Sequence, residues 1–149
     1  MSGYNEEAYR EARTSVIGLA CPFERALLSG CVACVKANRL LLAEREVISC
    51  TEQAACDQCQ TLHGLLHHNA RFALHVDSQH AAWPFGKEIR AQCGGVRGLS
   101  DALGVPGTES TDVAATIDAA LAHFGTIDQF PYSEIMRAVV HYEPRKRKF

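Results

Sequence analysis

"GCVACVKANRLLLAEREVISCTEQAACDQC", residues 30–59, holds five of the chain's seven cysteines, as two C-x-x-C pairs with one lone Cys between them. The apolar positions Val35, Leu41, Leu42, Ala43 and Val47 predict a helix over 31–48. Ser49 followed three places later by Glu52 matches a capping box, so a second helix is expected to start at Cys50 and run to Val76. Together these two make an antiparallel, cysteine-rich helical hairpin.

Outward from it the signals stay helical. Pro22 suits a first helical position, and a short helix over 22–28 would break at Ser29-Gly30. "WPFG" reads as a turn, 87–93 as a short helix capped by Gly94-Gly95, and "LSDALGVPG" as one more helical turn. Residues 111–124 carry Val113, Ile117, Leu121 and Phe124 on one face, and 131–142 is the last helix. No alternating strand pattern stands out. The expected fold class is therefore all-α: one helical domain over 1–149, built as a small bundle on the hairpin. It comprises a polar lead-in (1–20), the hairpin (21–80), further helices (81–142) and a basic tail (143–149).

Composition narrows the function classes. A chain of 149 residues can bury a core without covalent staples. Its formal net charge of -2 offers no general reason to bind nucleic acid. The basic tail "EPRKRKF" reads first as a solvated end. The start "MSGYNEEAYREARTSV" lacks the basic and apolar runs of a signal peptide, and no stretch suits a membrane span. A cytoplasmic protein with reduced thiols is expected.

Residues three apart on a helix share a face, so Cys31 with Cys34 and Cys56 with Cys59 each present two sulfurs in one direction. Thiolates are soft donors, and four of them complete a zinc site or hold an iron-sulfur cluster. In a regular hairpin turning at Ser49, however, the two pairs would lie more than about 10 Å apart along the helices. An irregular hairpin would let the pairs converge with Cys50, Cys21 or Cys93. A regular one would set Cys31 and Cys34 opposite His63 and His67 as a Cys2His2 group. Any single Cys is also a good core residue, a reading that suits Cys21 and Cys93 best. Two C-x-x-C pairs and Cys50 within 29 residues, Cys31 to Cys59, fit it less well.

The segment "EREVISCTEQAACDQCQTLH" also resembles the active-site motif of the alkylhydroperoxidase D and carboxymuconolactone decarboxylase-like family, which is itself all-helical. Glu44, Cys56, Cys59 and His63 fall on that motif's positions. The resemblance implies a dithiol peroxidase or disulfide reductase, with Cys59 as attacking thiolate, Cys56 as resolving partner, and Glu44 and His63 as a proton relay. It covers about 20 residues of the chain and leaves the other five cysteines aside.

The residues themselves lead to a different expectation. It is an iron-sulfur protein holding its cluster through Cys31, Cys34, Cys50, Cys56 and Cys59, assisted by Cys21 and Cys93, and working with a redox partner protein in electron transfer or as an accessory rather than as an enzyme by itself. A zinc-stabilised interaction module is the further alternative.

Overall fold

The computed structural model describes residues 18–76 and 83–144. The polar lead-in up to residue 17 and the basic run 145–149 lie outside the described residues, as does the end of the expected hairpin region, 77–80. In chain order the elements are α1 (Glu24–Ser29), β1 (Ala37–Leu42), β2 (Arg45–Cys50), α2 (Gln53–Ala73), α3 (Phe85–Ile89), a π-helical turn (Arg90–Gly94), α4 (Gly95–Ala102), α5 (Val113–Phe124), a 3-10 turn (Ile127–Gln129) and α6 (Tyr132–His141).

The all-α expectation is overturned at its centre. Where the first arm of a helical hairpin was expected, β1 and β2 form an antiparallel two-stranded sheet with Leu42 opposite Arg45 and Ala37 opposite Cys50. The adjacent β-branched pair Val47-Ile48 explains the preference for strand, because both side chains are buried on opposite faces of the pleat. Ile48 joins the main core, whereas Val47 packs with Leu40 and Leu42 in a small separate cluster. The two-residue turn between the strands is Ala43-Glu44, with φ of 51° and 68°. Such turns favour Asn-Gly, and neither residue here announces one. Because each pays a left-handed penalty of about 1–2 kcal/mol, replacing Ala43 by Asn together with Glu44 by Gly should raise stability by roughly 1–2 kcal/mol in urea unfolding. A loss of stability would show that the turn is not of this kind.

The remaining helices largely follow the sequence pattern. On α2 the buried residues Ala55, Cys59, Leu62, Leu66 and Ala70 form one face three and four apart. That face meets α5, α6 and the π turn. Asp112 caps α5, its Oδ2 accepting from the Ala115 amide at 2.8 Å. The break expected at Gly94-Gly95 is absent: both residues are in right-handed helical conformation, and the chain continues through the π turn into α4. These glycines allow close packing instead. A Cβ on Gly94 would lie 2.7 Å from the Val139 Cα, and one on Gly98 would lie 2.7 Å from the Ala138 Cβ. Since a backbone atom cannot rotate aside, Gly94→Ala should cost about 1–3 kcal/mol despite the better helix propensity of Ala. Gly64→Ala, on α2 with nothing within 4 Å, should instead stabilise by about 1 kcal/mol. Thermal melts of the two variants check the contrast, and equal shifts would deny that α6 packs this tightly on Gly94.

Candidate metal centre

Five free thiols line one narrow apolar pocket: Cys21, Cys34, Cys50, Cys56 and Cys59, with Phe23, Leu27, Ala37, Ala55, Val113 and Ala114 completing its walls. Four separate stretches of chain bring them there. Residues 19–21 run beside the end of β2, with the Cys21 amide donating to the Ile48 carbonyl at 3.1 Å and the Cys50 amide to the Leu19 carbonyl at 2.8 Å. This sets Cys21 next to Cys50. Cys34 is held against the start of α5, where the Ala33 amide donates to the Thr111 carbonyl and the Val113 amide to the Ala33 carbonyl, both at 2.8 Å. The Val35 amide adds a bond to Asp112 Oδ1 at 2.6 Å. Cys56 and Cys59 enter from the first turns of α2, one above the other. At the rim Lys36 pairs with Glu52 at 2.6 Å.

Burial in these apolar surroundings pushes the Cys21 thiol up to about 12, and a thiolate on Cys34 or Cys50 would push it further. Burial raises Cys59 in the same way, reinforced by Cys21, Cys34 and Cys50 ahead of Cys56. Opposing this, the Phe23 amide donates to the Cys21 sulfur. The Lys36 and Ala114 amides donate to the Cys34 sulfur, which burial likewise raises. Those amides are aimed where negative charge on sulfur would need them. Cys56 stands somewhat apart: its Sγ lies 3.6 Å from the Ala20 carbonyl, and Gln60 Nε2 reaches that sulfur at 3.9 Å.

Two of the expected ligands lie elsewhere. Cys31 and Cys93 form a disulfide across 62 residues of sequence. This corrects their assignment to the thiol group and the expectation of wholly reduced cysteines, because a sulfur in a disulfide has no thiolate to offer. The C-x-x-C spacing of Cys31 and Cys34 misled because Cys31 lies in a bend and Cys34 directly after the bridge residue Ala33, not on a helix with a shared face.

The resemblance residues are also divided. Cys56 and Cys59 remain free thiols one turn apart. Glu44 lies at the exposed tip of the β-hairpin, roughly 20 Å of strand away from Cys50. His63 faces Glu88, a residue that sequence reasoning left out, at 3.2 Å. Its signal was absent because only the tertiary fold brings 88 beside 63. The amide donors to sulfur were equally invisible in the sequence.

No known protein family, curated protein or solved structure matches this chain. Among the described residues no helix is long and apolar enough to cross a membrane.

Proposed function

We propose that the chain binds an iron-sulfur cluster through Cys21, Cys34, Cys50 and Cys59 and serves in electron transfer, or as an accessory to a redox enzyme, by docking with a redox partner protein. The observation that carries this reading is the convergence of thiols from four separate stretches on one apolar pocket. Buried cysteines serving only as core filler have no need to gather. Cys21, Cys34, Cys50 and Cys56 each lie close enough to Cys59 to act on it electrostatically, and the Cys56 sulfur also lies against the Ala20 carbonyl.

The donor set fits a cluster better than a single ion. Tetrahedral zinc with bonds of about 2.3 Å requires its sulfurs roughly 3.8 Å apart. Among the described residues no three of these sulfurs lie within 4.8 Å of one another. A cluster gives each thiolate its own iron and therefore accepts a wider spacing. When bound, it would supply one-electron chemistry. The chain's own part is to exclude water with Phe23, Leu27 and Val113, and to direct the amides of Phe23, Lys36 and Ala114 at the sulfurs. Both features tune potential in such sites.

Protein purified without oxygen, or reconstituted with iron and sulfide, should be brown, with broad visible absorption that bleaches on reduction and matching iron and sulfide contents. Colourless protein carrying one equivalent of zinc on its thiols would transfer the pocket to a structural zinc role.

A further inference from the structure

Beyond the thiol pocket a second set of metal donors converges further along the same face of α2, one turn and more past Cys59. His63 and His67 are one turn apart on that helix, and Glu88 lies near the end of α3. The Nε2 atoms of His63 and His67 stand 3.2 and 2.8 Å from the same Glu88 Oε2. All three ligand atoms lie within 4.8 Å of one another.

We propose that His63, His67 and Glu88 hold one divalent transition-metal ion, independently of what the thiols bind. An ion with bonds of about 2.0–2.1 Å to imidazole and carboxylate in tetrahedral array spaces its ligand atoms roughly 3.3 Å apart. The two nitrogen-to-oxygen distances here are therefore close to what such an ion requires. On binding, each imidazole presents its Nε2 lone pair and keeps its proton on Nδ1.

The carboxylate is already oriented. Gln92 Nε2 donates to Glu88 Oε2 at 2.7 Å, and Gln92 Oε1 accepts from the Ala26 amide at 2.9 Å. Gln92 thus has one orientation. It belongs to the π turn Arg90–Gly94, the kind of helical irregularity that recurs at functional sites. Support of this sort for a ligating carboxylate is what metal sites need beyond their ligands. In the metal-free arrangement burial alone would raise Glu88, but the hydrogen bonds from His63, His67 and Gln92 outweigh it and hold the carboxyl well below the usual range.

The rings are fixed as well. Trp83 stacks on His67 with centroids 4.0 Å apart, and Phe23 meets His63 edge-on at 5.8 Å. The His63 and His67 side chains remain 26% and 20% exposed, which leaves an approach for the ion. Two imidazoles and one carboxylate suit zinc or ferrous iron and leave a coordination position for water or a substrate oxygen. The competing arrangement is a plain hydrogen-bonded cluster, in which the histidines do nothing but donate to Glu88.

Cobalt(II) titration separates these possibilities and also separates this site from the thiols. The His63, His67 and Glu88 site should take up one equivalent with visible ligand-field bands and no sulfur-to-cobalt charge transfer of its own, any charge-transfer bands from cobalt on the thiols being removed by Cys34→Ser and Cys59→Ser. Glu88→Gln and His63→Gln should each weaken that uptake by at least about 100-fold, and Cys34→Ser should leave it unchanged. His63 is the more exposed ring, so His63→Gln decides if Glu88→Gln fails to fold by circular dichroism. Cobalt bound only with sulfur charge transfer, or uptake indifferent to the folded variants, would overturn the assignment. Failure of the unaltered chain to take up iron and sulfide while this cobalt signal is present would count against the thiol reading alone.

Discussion

Replacing Cys59 by Ser is expected to remove bound iron from the protein while leaving it folded. Cys59 is 7% exposed and is flanked by the thiols of Cys21, Cys34 and Cys50. A serine hydroxyl is nearly isosteric but does not ionise to a soft anionic donor, so the affinity lost should exceed the 10–100-fold typical of removing a supporting partner. Cys21→Ser, Cys34→Ser and Cys50→Ser should behave alike. Cys56→Ser should keep most of the iron, since its sulfur lies against the Ala20 carbonyl and Gln60. The Cys31→Ser and Cys93→Ser variants should keep it too, because those sulfurs are joined to each other. Iron and sulfide analysis, with the visible spectrum of each anaerobically prepared variant, is the measurement. Iron retained in all four of the named variants would sink the proposed ligand set.

The other large effect belongs to the disulfide. Cys31 and Cys93 tie the residues just before β1 to the π turn, with 62 positions of sequence between them. Closing a loop of that length removes conformational freedom from the unfolded chain worth about 4 kcal/mol by the chain-entropy relation. Both residues are buried in the main core. Replacing both by Ala should thus lower stability by about 4 kcal/mol and the melting temperature by roughly 10 °C for a chain of this size. Adding reductant to the unaltered protein should reproduce most of that loss, while the double variant should be insensitive to it. Coincident melting curves for the two proteins with and without reductant would deny the bond its role. Because neither cysteine lines the thiol pocket, the destabilised protein should still bind iron below its melting point.

These two outcomes bear on how the cysteines divide, which the sequence posed as a question and did not answer. The apolar face of 111–124 with its end at Gly125, and the break at Gly30, were enough to locate α5 and the end of α1, whereas the capping box expected at Ser49 is absent: Ser49 and Cys50 belong to β2 and α2 begins at Gln53. Density of cysteine marked residues 30–59, which hold four of the five free thiols that line the pocket. Both are local properties, readable within a few turns of chain.

The β-hairpin was not legible for a local reason as well. "RLLLAEREVI" carries good helix formers through a turn that lacks Gly or Asn, and only burial of Val47 and Ile48 on opposite faces makes the strand the better structure. That one difference moves Cys50 to the end of a strand beside Cys21 and sends Glu44 to the far tip. Gly94 and Gly95 looked like a helix end because close packing on Val139 and Leu66 leaves no trace in their neighbours.

By itself, then, the sequence determined helical segments that bury a stripe of their own, the absence of a long apolar run, and the stretch in which the cysteines are concentrated. Tertiary structure alone decided that Cys31 joins Cys93, that Cys21 meets Cys34, Cys50 and Cys59, and that Glu88 reaches His63 and His67. The physical reason is the range of the interactions. A helix repeats every 3.6 residues and shows its pattern in the chain. A group of side chains drawn from positions 21, 34, 50 and 59, or from 63, 67 and 88, exists only after hydrophobic burial has folded the intervening segments against one another.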